Sequence, residues 1–299
     1  MKIGYPCINR SLKSKGNKTF RLKSYSAKRL VETVENNLDC LLSILSFNVQ
    51  HNILFFRITS DLVPFASHPI CTINWQEYFA AMFKAIGEFI KKHHIRISMH
   101  PDQFTLINSP DEDIFIRSER ELLYHCEVLD LMKLDVSAKV QIHIGGVYND
   151  KEKSTKRFID RFYKLNPVIK KRLVIENDDK CYNVNDCLVI HKRTKIPILF
   201  DMFHHALNSV DLPLKEIFGL VRKTWKHKDG LPMVDYSSQK KGGKPGQHAA
   251  SIDVRDFKKF IQSTQGYDFD IMLEIKDKEK SALKAIKIVS GSSLFVIRN

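Results

Sequence analysis

The strongest constraint in this sequence is a recurrence: short apolar runs, each followed by a segment with helical periodicity. The runs fall at residues 2–6, 53–59, 96–100, 140–145, 173–176, 198–203, 233–236 and 271–275. They are continuous rather than alternating, the pattern of parallel strands whose outer faces are covered by helices. After the first run, Leu30, Val34, Leu38, Leu41 and Leu45 keep one apolar face over about four turns. After the second, Asn74 is placed to cap a helix in which Trp75, Tyr78, Met82, Ile86 and Phe89 step by three and four. After the third, Ser109-Pro110 opens an acidic first turn leading to Leu122, Leu129 and Met132. Weaker patterns follow at 154–165, 184–191, 214–225, 254–261 and 278–288. Eight β-α units in succession predict a closed (β/α)8 TIM barrel, with residues 1–299 as one domain. An open doubly wound sheet is the competing architecture, but no G-x-G-x-x-G follows the first strand to support a dinucleotide fold.

In barrels of this class chemistry sits at the C-terminal ends of the strands, and here those ends are polar. The third run closes on His100 and the fourth holds His143. The fifth closes on Glu176, and the sixth carries Asp201, followed by His204 and His205. The seventh holds Asp235 and the eighth Glu274. Any one of these has a plain reading as a hydrogen-bonded structural residue. Ionisable groups inside apolar strands destabilise a fold unless something compensates them, and six strands in succession ending this way point to bound cations. Imidazole with carboxylate suits Zn, Mn or Fe, and a carboxylate between imidazole-rich groups can bridge two ions. Asp201-x-x-His204 lets two ligands leave one strand end together, with His205 in a supporting position. After the seventh run a Gly-rich basic loop, expected to be flexible, carries Lys240, Lys241 and Lys244 towards His248. Its lysines would meet phosphates while the imidazole faces the metals.

The charge balance agrees. Forty-eight Lys and Arg against 34 Asp and Glu give a formal +14, which favours a polyanion, either nucleic acid or an anionic membrane surface. No apolar stretch approaches the roughly 20 residues needed to span a bilayer. The N-terminus, MKIGYPCINR, has no long apolar signal region, and the six cysteines include no CxxC pair. The expectation is a cytoplasmic monomer with reduced thiols.

The blocks GYPCIN, FFRITSDLVPFASHP, SMHPDQF, QIHIGGVYNDK, VIENDD, LFDMFHH and DYSSQ, with the Gly-rich loop to His248, resemble the UV damage endonucleases, in order from about residue 2 to residue 288. The resemblance implies a barrel related to endonuclease IV that nicks damaged double-stranded DNA immediately 5′ to the lesion. Cyclobutane dimers, 6-4 photoproducts and abasic sites are its implied substrates. The implied cofactor is manganese, as two or three divalent ions, and a prokaryotic member would work at the nucleoid. Carried across by motif, the ligands are His100, His143, Glu176, Asp201, His204, His248 and Glu274, with Glu176 bridging two ions. The lesion-probing pair falls on Gln103 and Phe104, an aromatic that can wedge beside a distorted base pair. Tyr5 and Asn9 are placed near the lesion and scissile phosphate, and His68 close to the catalytic site.

One departure stands out. Some relatives carry Lys-x-His at strand seven, with a modified lysine and a ligating histidine; this sequence has Met233-Val234-Asp235. Methionine cannot carry that modification, and Asp235 would replace the histidine with an oxygen ligand, favouring Mn or Mg over Zn. The expected chemistry is in-line attack by a hydroxide held at Glu176, leaving a 3′-hydroxyl and a 5′-phosphate. Two other classes compete. A sugar isomerase would also gather His, Asp and Glu around two ions but has no use for the positive surplus. A catalytically silent damaged-DNA-binding barrel would bind DNA without tightly held metal.

Overall fold

The structure, a computed structural model, describes residues 1–13 and 15–291. Eight parallel strands close in sequence order into a barrel: β1 (Ile3–Pro6), β2 (Phe55–Ile58), β3 (Arg96–Met99), β4 (Lys139–His143), β5 (Leu173–Glu176), β6 (Ile198–Asp201), β7 (Met233–Tyr236) and β8 (Asp270–Leu273). β8 returns to pair with β1, Ile3 opposite Ile271. The expected TIM barrel is the fold. Each strand is shorter than or equal to its apolar run, so His100 and Glu274 lie just past β3 and β8 rather than inside them.

The helices form where the sequence pattern places them, but the one expected after Asn74 is broken at Phe79 into Trp75–Tyr78 and Ala80–Lys92, and two others differ at their ends. The helix expected to open at Ser109-Pro110 is Glu112–Leu131, capped by Asp111, whose carboxylate accepts from the backbone N–H of Asp113 and Ile114. The sixth run stops at Asp201 because this residue caps a short helix, Met202–Leu207, accepting from His204 N at 2.7 Å. Residues 202–203 are therefore helical, not strand. The last described helix, Glu279–Ser290, buries Val289; residues 292–299 of the C-terminal tail lie outside the described residues.

Strand residues alternate between two environments. Those facing out, such as Tyr5, Phe56, Ile97, Ile142, Ile175, Phe200 and Ile271, join the large apolar layer under the helices. Phe55, Val174, Leu199, Met233 and Met272 form a separate cluster, closed by Trp225, which fills the barrel's middle. The approach of β1 to β2 requires glycine, since a Cβ on Gly4 would stand 2.0 Å from the Phe55 carbonyl oxygen. Below this plug lie two buried ion pairs, Arg96–Asp270 at 2.8 Å and Lys139–Asp229 at 2.6 Å, the Arg96 guanidinium stacking over Trp225 and Phe55. Above it the interior turns polar again. Among the described residues no helix is long and apolar enough to cross a membrane.

Candidate metal centre and nucleic-acid interface

At the C-terminal rim the strand ends converge. Ligand atoms of His100, His143 and Glu176 lie within 4.8 Å of one another, and so do those of Glu176, Asp201 and His204. Glu176 belongs to both triads. Its two oxygens face opposite ways: Oε2 lies 3.5 Å from His100 Nε2, and Oε1 lies 3.2 Å from His204 Nδ1. The His143 ring stands between, 5.2 Å from that of His100 and 5.7 Å from that of His204. Asp201 caps the helix that holds His204, so both groups leave one turn, and the His204 ring is further tied to the Asn177 carbonyl at 3.0 Å. The observed cap explains why the spacing Asp-x-x-His brings both side chains to one strand end.

Burial sets the electrostatics. Burial alone would raise the Glu176 carboxyl, but His143, His100 and His204 outweigh it and hold the group well below its ordinary range. Burial would lower the His204 imidazole, yet Asp201 and Glu176 push it up to about 11. Asp201 moves the other way, raised well above its ordinary value by burial and by the neighbouring Glu176, Glu274 and Asp235 charges. A cluster that makes the His204 imidazole hold its proton against two carboxylates has donors suited to divalent cations. The fit has a second support: Nδ1 of His100 and of His143 are buried without a hydrogen-bond partner, while His100 Nε2 faces Glu176.

Glu274 and His248 complete the rim. The His248 Nδ1 lies 2.6 Å from the Glu274 carbonyl oxygen, and its ring packs on Phe203. Glu274 is held by Arg57, and this guanidinium outweighs burial to keep its carboxyl down at about 2. The cleft above is lined by Arg57, His100, His248, Glu274, Cys7 and Lys278. Both Cys7 and Lys278 hold left-handed backbone, with φ of 71° and 55°, a strained conformation that concentrates at functional rims.

Three residues that sequence reasoning passed over support the cluster. Arg57 projects inward from β2 onto Asp235 and Glu274. Gln141 on β4 donates to Glu176 Oε2 at 2.7 Å and to Asp235 Oδ2 at 2.9 Å. Asn177 pairs with the Asp201 backbone in both directions at 2.9 Å. The available signal was a charged residue in the middle of an apolar run, Phe55-Phe56-Arg57-Ile58.

The other expected site residues divide. Asp235 comes within ligand reach of Asp201 and Glu274, but it is fully buried and both oxygens accept from Arg57 Nη2, at 2.8 and 2.7 Å. Burial raises its carboxyl to about 7, with Arg57 opposing. His205 stays outside both triads, its ring against Phe200 and its Nδ1 buried without a partner. Tyr5 and Asn9 are both buried. β1 alternation turns Tyr5 outward into the layer under the helices, where its hydroxyl donates to Asn48 Oδ1 at 2.7 Å and accepts from Asn9 Nδ2 at 2.8 Å. Asn9 in turn accepts from Ser11 N and Leu12 N. Together they shape the loop after β1.

Phe104 and Gln103 are exposed, Phe104 to 73 %. His68 is also exposed and shares a groove with Phe104 and Asp102; none of the triad residues lines that groove. The basic loop is a hydrogen-bonded hairpin. Gln239 pairs with His248, Lys240 N donates to the Gln247 carbonyl at 2.7 Å, and the Gln239 side chain bridges Gly246 N and the Lys244 carbonyl. Lys240, Lys241 and Lys244 lie exposed on this hairpin.

Comparison with known proteins gives consistent relatives. Residues 1–294 match the family described as UV-endonuclease UvdE. A UV DNA damage endonuclease of Clostridium perfringens is 43% identical over 288 residues, covering 96% of this chain and 70% of that protein. The crystal structure of SacUVDE superposes with a TM-score of 0.94 at 46% identity, covering 99% of this chain and 100% of the other. Endonuclease IV from Thermus thermophilus aligns with a TM-score of 0.61 at 11% identity over 97% and 98% of the two chains, a likeness of fold alone.

Proposed function

This chain belongs to the UV-endonuclease UvdE family, and from that premise we propose that it is a DNA repair endonuclease that nicks UV-damaged duplex DNA on the 5′ side of the lesion by metal-dependent hydrolysis. The observation that carries the reading is the pair of triads sharing Glu176, open to a cleft on a strongly basic protein. His100, His143 and Glu176 would hold one divalent ion and Glu176, Asp201 and His204 another, with His248 and Glu274 approaching from the β7–β8 side. Mixed imidazole and carboxylate donors of this kind accommodate manganese. Bound there, divalent ions would supply a nucleophile at neutral pH and neutralise charge on the phosphate.

The chain's own residues do the rest. Gln141 fixes the orientation of Glu176 by donating to Oε2, which keeps Oε2 on the His100 side and Oε1 on the His204 side. Ser60 donates to the His100 carbonyl at 2.7 Å and is itself met by the buried His125 at 3.0 Å, which holds the His100 turn in place. Phe104, exposed on the loop after β3, would wedge into the base stack. A lesion that weakens stacking lowers the few-kcal/mol cost of extruding a nucleotide, which selects damaged over intact sites. Lys240, Lys241 and Lys244 would grip the backbone without reading sequence. His68, on the Phe104 groove, is better placed to touch the distorted strand than the reacting phosphate.

The test is direct. On a duplex carrying one cyclobutane dimer, Mn2+ should support nicking immediately 5′ to the lesion, leaving a 3′-hydroxyl and a 5′-phosphate, while EDTA abolishes it. Nicking that survives exhaustive chelation would defeat the metal assignment. A parallel abasic duplex shows whether the substrate range extends that far.

A further inference from the structure

Beside the two triads lies a third close group: Asp201, Asp235 and Glu274 offer ligand atoms within 4.8 Å of one another. By ligand type alone it is room for a third ion. Two of its three members are already held. Arg57 Nη2 donates to both oxygens of Asp235, at 2.8 and 2.7 Å, while Nη1 donates to Oε1 of Glu274. Gln141 adds a third hydrogen bond to Asp235, at 2.9 Å to Oδ2. Arg57 and Asp235 are 2 % and 0 % exposed.

A guanidinium does not deprotonate in proteins, and its planar fork matches carboxylates in the geometry seen here. An ion bound by the same Asp235 oxygens would face that permanent charge across a single carboxylate, in an interior where like charges are weakly screened. It would also have to take oxygens that already accept three hydrogen bonds between them. Removing Arg57 from the pair to make way would leave a buried charge without a partner, among the costliest changes a fold can suffer.

We propose that Arg57 is the third cation of this centre: the rim holds two divalent ions, and the guanidinium neutralises Asp235 and Glu274 where another ion would otherwise sit. The proposal rests on the reading of the two triads as metal sites. Asp235 is then a positioning residue and not a ligand. It holds Arg57 and the Gln141 amide together, and Gln141 passes that orientation to Glu176. Glu274 keeps Oε2 free of Arg57 and available to an ion.

The proposal is tested by counting metal. The full chain, stripped with chelator and dialysed against Mn2+, is analysed for bound manganese by mass spectrometry and titrated calorimetrically. The expected count for the unaltered chain is two, and three overturns the proposal. Asp235→Asn should still bind two ions with affinities within about threefold of the parent; loss of one ion, or a tenfold weakening of one, makes Asp235 a ligand and overturns it. Arg57→Gln should admit a third ion, and a count of two in a folded variant removes the exclusion argument. If Arg57→Gln does not fold, the first two measurements decide. Fewer than two ions on the unaltered chain would instead defeat the triad reading itself, so the two failures are distinguishable.

Discussion

The barrel buries charge at both ends, and the ends are built on opposite rules. At the floor, Arg96 meets Asp270 and Lys139 meets Asp229, cation for anion. At the rim, four carboxylates (Glu176, Asp201, Asp235 and Glu274) face one arginine and a set of imidazoles, with histidine nitrogens left unpartnered. The floor groups are almost wholly buried and the rim opens in part to the cleft, yet only the floor is balanced by the protein alone. Buried charge that serves packing is closed by its own partners, whereas buried charge that serves chemistry is left short of positive charge.

That contrast can be broken by mutation. Glu176→Ala should abolish nicking of dimer-bearing plasmid, by about a thousandfold or more, while the melting temperature of the metal-free protein stays the same or rises; retained nicking removes Glu176 from its role. At the floor the outcome reverses. Asp229→Ala strands the Lys139 ammonium and should cost about 3–5 kcal/mol of stability in urea unfolding, while the folded fraction nicks at an unchanged rate.

Smaller effects sharpen the comparison. Phe104→Ala should leave metal affinity intact and reduce the preference for damaged over intact duplex by about 1–3 kcal/mol in competition binding. Equal losses on both duplexes would show that the ring contributes only general affinity. Replacing Lys240, Lys241 and Lys244 together by Ala should flatten the plot of log affinity against log salt by about 0.9 for each phosphate that is no longer neutralised. An unchanged slope would place the hairpin away from the DNA. The smallest effect concerns acid. Arg57 holds Glu274 at about 2 in the folded chain against an ordinary 4.5, so its contribution is complete above about pH 4.5 and is lost as pH falls towards 2. The metal-free chain should lose melting temperature over that window, and Glu274→Gln should lose less.

The rim was legible in the sequence because polar residues at the ends of apolar runs are conspicuous. His100, His143, Glu176, Asp201 and Glu274 announce themselves by interrupting or ending a hydrophobic segment. What supports them was not legible. Arg57 and Gln141 sit within runs, and only the pairing register says which way each side chain turns; a shift by one position would send both outward. The same uncertainty covers Tyr5, whose side chain joins the helix layer. The character of the 237–248 loop escaped for another reason. Glycines and lysines suggest mobility, and only the cross-bonding of Gln239 reveals order.

The ordered hairpin has a practical corollary. Its two legs are stitched at Gln239 and Lys240, close to His248, whereas a Cβ on Gly242 near the tip would meet nothing within 4 Å. The tip is thus insulated from the catalytic rim by its own crossbars, and it is the place to attach a fluorophore that reports the arrival of a duplex without disturbing the chemistry beneath.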